Sequence, residues 1–168
     1  MNLPSKKNIE VITMYKKRVG VFETNSSSIH SICIQRKPVE NIRGKRVFFG
    51  FGEYGWEDGY ADPASYLRTA MYGLGMEDQF NMMIEKLVDE YGIDCVLSDD
   101  TGDTWYPHGY VDHCDELKEL IDCLLNDDDL LLRFILGGDS AVYTGNDNDD
   151  FDTASEPEET HEVYWKGN

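Results

Sequence analysis

Ten residues near the N-terminus, from Phe22 to Ser31, concentrate side chains that can bind phosphate or relay protons. If the end of this segment is a β-strand, Ser28 and His30 lie side by side on one face, because side chains alternate along a strand. A hydroxyl beside an imidazole can be a nucleophile with its base, or two ligands of a phosphate. Turn chemistry is the alternative, with the loop side chains bonded to the backbone and the histidine packed at a strand edge. The candidate catalytic residues are Ser28 and His30, and the candidate binding residues are Asn25, Ser26 and Ser27.

A second polar segment, from Thr144 to Asp150, alternates amides and carboxylates. Hard cations take oxygen ligands of this kind, although the segment lacks the glutamate that completes a calcium-binding loop. Magnesium needs only one or two carboxylates plus a substrate phosphate, so a Mg²⁺ site for phosphodiester chemistry is one interpretation. A solvated acidic loop over residues 145–160 is the other. The candidate residues of this second motif are Asn146, Asp147 and Asp149.

The cysteines raise zinc as a third possibility. Cys95 and Cys123 could join the adjacent pair His113 and Cys114 as ligands, but structural zinc sites usually contain closely spaced pairs of ligands. On a helical wheel Cys114 falls with the apolar residues while Cys123 lies off that stripe, which favours core packing for one and a bystander role for the other. With no CxxC pair, all four cysteines are predicted to be free thiols in a reducing compartment.

Charge is distributed unevenly along the chain. The 168 residues carry 15 Lys and Arg against 33 Asp and Glu, a formal net charge of −18. Residues 1–46 hold ten basic and three acidic side chains, a net charge of +7, so the other 122 residues carry −25. Such a chain can offer phosphate a basic edge and a basic protein an acidic body, unless the skew is a chance feature of ordinary solubility. The candidate RNA- or partner-binding residues of the basic N-terminal arm, 1–18, are Lys16, Lys17 and Arg18.

Length and hydropathy place the chain among soluble globular domains. No stretch approaches the roughly 20 apolar residues that span a bilayer, and the first residues lack the apolar run of a signal peptide. We therefore expect a cytoplasmic protein with no membrane partner.

The elements that must position these residues form a single α+β domain over 1–168. A β-hairpin is expected over 19–35, from strands at Val19–Glu23 and Ile29–Gln35, within a mixed or antiparallel sheet packed against about four helices. Asp62-Pro63 predicts a helix start, the apolar stripe from Phe80 to Tyr91 predicts a second helix, and Asp127 opens another. The remaining predicted elements are a helix at Asp115–Leu125 and strands at Arg46–Phe51, Ile93–Leu97, Ser140–Thr144 and Val163–Trp165.

The words FETNSSSIHSICI and TGNDNDD resemble a group of small proteins encoded by phages and mobile elements of Firmicutes. Acidic proteins of this size and origin include type II anti-CRISPR proteins, one subgroup of which uses an N-terminal hairpin in shortening the guide RNA when the effector nuclease is present. The resemblance covers about twenty of the 168 residues. It implies functional roles for the hairpin and the second motif at Asn25, Ser26, Ser27, Ser28, His30, Asn146, Asp147 and Asp149.

The predicted function is that of an anti-CRISPR protein that inhibits a type II CRISPR effector nuclease by engaging the effector and its guide RNA. Guide shortening would accompany inhibition, and whether this chain itself has effector-dependent ribonuclease activity stays open. One alternative is a small metal-dependent nuclease or phosphoryl-transfer enzyme in which the two motifs meet across one sheet, which a strand order placing 19–35 beside 140–144 would favour. Another is a host-directed phage interaction protein whose loops only bind.

Overall fold

The computed structural model describes residues 14–15, 28–55, 59–100, 106–146 and 161–167. This part of the chain contains four α-helices, one 3-10 turn, a five-stranded sheet and two two-stranded sheets, which confirms the α+β class. The strands are β1 Met14–Tyr15, β2 Ser28–Gln35, β3 Arg46–Phe49, β4 Glu53–Tyr54, β5 Gly59–Ala61, β6 Asp94–Leu97, β7 Tyr110–Val111, β8 Ala141–Asn146 and β9 His161–Gly167. The helices are α1 Pro63–Gly73, α2 Glu77–Asp89, α3 Lys118–Asn126 and α4 Asp128–Leu136, and the 3-10 turn Cys114–Leu117 precedes α3.

Strand β2 is the central strand of the main sheet, whose order is β1-β9-β2-β8-β5. It runs antiparallel to both of its neighbours, β8 and β9. At the two edges β1 pairs in parallel with β9, and β5 pairs antiparallel with β8. Two short parallel pairs, β3 with β6 and β4 with β7, form separate small sheets. Every other described strand of the main sheet therefore meets β2 either directly, as β8 and β9 do, or through one neighbour, as β5 does through β8 and β1 through β9.

The described residues include only part of the hairpin expected over 19–35. Its second strand is present, one residue longer than predicted, but from His30 to Cys33 both edges of β2 are already paired with β8 and β9. The antiparallel pairing in the described residues is made with strands from the far end of the chain. Val19–Glu23 lies outside the described residues, so the hairpin itself stays a prediction. The acidic loop predicted from residue 145 is also shortened, because β8 continues through Asn146, and residues 147–160 lie outside the described part.

Helix α1 is the most deeply buried helix of the described chain. The Asp62 carboxylate caps it by accepting a hydrogen bond from the Ser65 backbone, and Pro63 occupies its first turn, as predicted. Every residue from Ala64 to Met71 is buried. The helix packs against β3 and β7 of the small parallel pairs and against β8 of the main sheet, so it links these sheets.

The remaining helices follow their local sequence signals. In α2 the predicted stripe is buried at Phe80, Met83 and Leu87, and Gly92 adopts a positive φ just beyond the helix end. The carboxylate of Asp127 accepts a hydrogen bond from the Leu130 backbone, which confirms that this acidic triplet opens a helix.

A buried guanidinium that the sequence analysis missed joins the ends of β3 and β6. Arg68 of α1 is 3% exposed and donates to the carbonyl oxygens of Phe49, at 2.9 Å, and Ser98, at 2.8 Å. Its plane lies over the Phe51 ring, with the guanidinium carbon 4.0 Å from the ring centroid, and its Nη2 pairs with the exposed Asp99 carboxylate. Because the bond to Phe49 is buried and the bond to Ser98 is partly buried, whereas the carboxylate is exposed, most of the stabilisation comes from the carbonyl bonds.

Replacing this guanidinium should destabilise the fold far more than replacing an exposed one. We expect Arg68→Met to lower the free energy of unfolding by about 3 kcal/mol, since it leaves buried carbonyls without a charged donor. The matched control is Arg46→Met, whose partner Asp94 and own side chain are both half or more exposed, with an expected loss below about 1 kcal/mol. Urea unfolding measures the free energy of unfolding of both variants. Equal losses would contradict the stabilising role that we assign to the buried guanidinium.

Candidate functional site

The two polar motifs lie on neighbouring strands. In the antiparallel register of β2 and β8, Ser28 faces Asn146 and His30 faces Thr144. The sheet therefore brings the end of the first motif beside the start of the second, which their separation in sequence does not reveal. The other predicted residues of these motifs and of the basic arm lie outside the described residues: Lys16, Lys17, Arg18, Asn25, Ser26, Ser27, Asp147 and Asp149.

Four buried or half-buried side chains form a continuous hydrogen-bonded chain across this strand. Ser28 and His30 share one face of β2, as predicted, with 3.2 Å between the Ser28 hydroxyl and Nε2 of the imidazole. The other ring nitrogen, Nδ1, lies 2.9 Å from the hydroxyl of Tyr66 in α1. At the opposite end the Ser28 hydroxyl donates to a carboxylate oxygen of Asp112 at 2.6 Å. The order is thus Tyr66–His30–Ser28–Asp112.

The proton positions follow from the partners at the carboxylate end. Burial raises the pKa of Asp112, but hydrogen bonds from Ser28 and Tyr110 and the nearby His113 outweigh it, so the net shift is downward and the group is an ionised acceptor at neutral pH. The Ser28 hydrogen is committed to that carboxylate. His30 must therefore donate from Nε2 to Ser28 and accept at Nδ1 from Tyr66.

Burial keeps the histidine neutral. It lowers the pKa of His30 to about 4, an effect that the charge of Asp112 only partly offsets. Burial likewise raises the pKa of Tyr66, so its hydroxyl stays protonated and able to donate. All the protons of the chain are thus fixed in one direction, from Tyr66 towards Asp112.

This geometry favours a positioning role over direct chemistry for the two residues predicted to be catalytic. Ser28 is 0% exposed and His30 is 1% exposed. A general base would have to accept the serine proton at Nε2, whereas here that nitrogen donates to the hydroxyl. What the chain accomplishes is to join the start of β2 to α1 through Tyr66 and to the turn after β7 through Asp112. Catalysis by Ser28 and His30 stays a prediction.

Aromatic side chains surround the Asp112 end of the hydrogen-bonded series. Tyr110 donates to the second carboxylate oxygen of Asp112 at 2.7 Å, and that bond raises the pKa of Tyr110 to about 12. The Tyr110 ring stacks on Tyr106 with 5.1 Å between centroids, and both rings are exposed by more than a third. Nε2 of His113 lies 3.6 Å from Asp112. A buried polar chain therefore ends at an exposed aromatic pair.

Sequence reasoning found Ser28 and His30 but missed their partners. Tyr66 is 36 residues from His30, and Asp112 is 84 residues from Ser28. No spacing rule connects positions so far apart. The one available signal was the requirement that a buried imidazole find partners for both ring nitrogens, which predicts that partners exist but not which residues they are.

No group of three or more metal-ligating side chains occurs among the described residues. The zinc interpretation is therefore wrong for Cys95, His113, Cys114 and Cys123, which all lie in that part of the chain. Cys114 packs against the core and Cys123 is exposed, in agreement with the helical wheel. Asn146 contributes its backbone to β8, and the magnesium interpretation of the second motif stays a prediction. In the described ranges no helix has the length and apolar character needed to cross a bilayer.

Comparisons with models of protein families, with curated proteins and with solved structures found no match to this chain. The fold and the site thus define only a class, an α+β domain with a buried polar chain that holds two motif-bearing strands. The resemblance to phage-encoded anti-CRISPR proteins stays a prediction.

The neutral histidine predicts a specific loss of stability in acid. Unfolded His30 binds a proton below pH 6.5, whereas the folded protein binds it only near pH 4, so the free energy of unfolding falls as the pH drops through this window. Between pH 7.5 and pH 5 the contribution is about 2 kcal/mol.

Urea unfolding at pH 7.5 and pH 5 tests this prediction. The decrease in the free energy of unfolding between these pH values should be about 2 kcal/mol smaller in His30→Gln than in the wild type. His108→Gln is the control, because His108 is exposed and is not part of the hydrogen-bonded series from Tyr66 to Asp112. An undiminished pH dependence in His30→Gln would show that the histidine is not buried as a neutral ring.

Proposed function

We propose that this protein is an anti-CRISPR protein of a phage or mobile element that binds a type II CRISPR effector nuclease and its guide RNA. The observation that carries the proposal is the pairing of Ser28 with Asn146 in neighbouring strands. The peptide chain leads from Ser28 directly into the polar residues 25–27, and from Asn146 directly into the acidic residues that follow. Both motifs are therefore tethered to one end of the central strand pair.

The buried hydrogen bonds from Tyr66 to Asp112 support binding, rather than catalysis, as the role of these motifs. Ser28 and His30 are enclosed and fully engaged in hydrogen bonds, so they stabilise the strand from which the polar loop departs. A binding loop benefits from such an anchor because less conformational freedom is lost when it meets its partner. The residues that adjoin this strand pair in sequence are then the contacting groups, namely Asn25, Ser26, Ser27, Asp147 and Asp149.

The charge distribution supports the choice of partner. The effectors of RNA-guided nucleases hold nucleic acid in positively charged channels. Residues 47–168 carry a net charge of −25, which complements such a channel, while the basic first quarter can contact the phosphates of the guide RNA. One chain can thus engage protein and RNA through different regions.

A guide-RNA assay tests the proposal. Labelled guide RNA is incubated with this protein, with a type II effector and with both, while target cleavage by the effector is measured in parallel. We expect inhibition in the combined reaction, and a loss of at least about tenfold in potency for the loop variant Ser26→Ala/Ser27→Ala, since its contacts lie at the interface. Cys123→Ala, an exposed and uncharged position on α3, is the matched control. A loop variant as potent as the wild type, or no inhibition by the wild type, would contradict the proposal.

The nuclease remains a second candidate because of the strand order. The arrangement that would favour it, β2 next to β8, is present. The same gel separates the two functions, because a nuclease shortens the RNA without the effector and loses this activity on chelation of divalent metal. Shortening only in the combined reaction favours the anti-CRISPR function, and inhibition with intact guide RNA favours a steric inhibitor.

The basic arm yields a prediction about salt. Reversal of Lys16, Lys17 and Arg18 to Glu should weaken guide-RNA binding and flatten its salt dependence. Three single-strand phosphate contacts contribute about 2 to the slope of log affinity against log salt. Fluorescence anisotropy at several salt concentrations measures this slope. An unchanged slope would show that the basic arm does not contact the guide RNA.

A further inference from the structure

A groove of about 290 Å³ lies between α2 on one side and α3 and α4 on the other. Its apolar lining comes from Met82 and Met83 of α2, Leu125 of α3 and Leu131 of α4. None of these residues takes part in the chain from Tyr66 to Asp112. The groove is therefore separate from the hydrogen-bonded site that joins the two motifs.

The exposed methionine marks the open side of this groove. Met82 lies in the middle of α2 and is 68% exposed, whereas Met83 and Leu131 form its buried floor. A methionine side chain is unbranched and adaptable, so it can pack against apolar groups of different shapes. An exposed apolar residue over a buried apolar floor is the geometry in which one large side chain of a partner helix is received.

Polar bonds at one wall hold the groove in shape. The Lys86 ammonium of α2 lies 2.5 Å from a carboxylate oxygen of Asp128 in α4, and the Tyr91 hydroxyl donates to the other oxygen of that carboxylate. These bonds connect the end of α2 to the first turn of α4. The two walls are thus tied together before a partner arrives, which lowers the conformational cost of binding.

The three helices that form the groove carry a net negative charge. Helices α2, α3 and α4 carry eight acidic and three basic side chains. Each of the three bases is paired with an aspartate: Lys86 with Asp128, Lys118 with Asp122 and Arg133 with Asp129.

The excess charge on α2 lines up with the exposed methionine. Asp78, Glu85 and Asp89 stand four residues before, three after and seven after Met82, so all four share one face of α2. A row of carboxylates therefore runs alongside the groove.

We propose that this groove docks a basic amphipathic helix of a partner protein. Apolar residues of that helix insert between Met82 and Leu125, and its Lys or Arg side chains meet the row formed by Asp78, Glu85 and Asp89. The row repels anionic surfaces such as acidic lipids or nucleic acid, which leaves a cationic helix as the occupant. This proposal does not rest on the anti-CRISPR assignment, since the groove contains neither of the two motifs and the probe is a model peptide rather than an effector.

A model peptide tests the groove. The probe is an 18-residue amphipathic helix of Leu and Lys, with a Leu/Glu helix of the same apolar face and a scrambled Leu/Lys peptide as controls. Binding to the full chain is followed by fluorescence anisotropy and by the methionine methyl resonances in NMR spectra. Of the three peptides, we expect only the Leu/Lys helix to bind well and to shift the Met82 and Met83 resonances.

Two variants separate the groove from general charge. Glu85→Lys/Asp89→Lys should weaken binding about tenfold, whereas Glu40→Lys/Glu53→Lys, which changes the net charge equally at exposed positions outside the helices, should leave it within about twofold. Met82→Gln should also weaken binding about fivefold, because it removes apolar contact. Equal binding of the scrambled peptide, equal losses in the two charge variants, unmoved Met82 and Met83 resonances or no binding at all would overturn the proposal.

Discussion

Burial of the His30 imidazole as a neutral ring requires a hydrogen-bond partner for each of its two nitrogens, because an unsatisfied polar group in the interior costs about 1 to 3 kcal/mol. Tyr66 supplies one partner from α1, and Ser28 supplies the other from the same strand. Ser28 in turn needs an acceptor, which Asp112 provides. These contacts connect the central strand to the most buried helix and to the turn after β7, so the packing of three parts of the chain depends on one ring.

The same constraint shapes what the two motifs can do. Because Ser28 and His30 are committed to internal bonds, our proposal assigns binding to the residues that precede Ser28 and follow Asn146 in sequence. The pairing of β2 with β8 gives these groups a common origin. A buried polar chain is expensive to build unless every member is satisfied, and it then specifies one arrangement of its strands. This is why we assign a positioning role to the serine and histidine, and binding to the segments that adjoin their strands.

Local signals in the sequence were sufficient for the helices but not for the pairing of the strands. The start of α1 after Asp62 and the start of α4 after Asp127 follow from capping, which involves residues only three positions apart. The neighbours of β2, in contrast, come from residues 141–146 and 161–167, and an alternating pattern does not identify a partner strand. For the same reason Ser28 and His30 could be placed on one face, whereas Tyr66, Asp112 and the buried Arg68 could not be connected to their partners.

The most direct test of this account is the protonation of His30, observed by ¹⁵N NMR of the histidine side chains between pH 8 and pH 5. The account predicts a neutral ring with its proton on Nε2 throughout this range, and the loss of that signal in His30→Gln identifies it. A proton on Nδ1, or a ring that titrates near pH 6.5, would contradict the hydrogen-bond order from Tyr66 to Asp112 and with it the role assigned to the central strand.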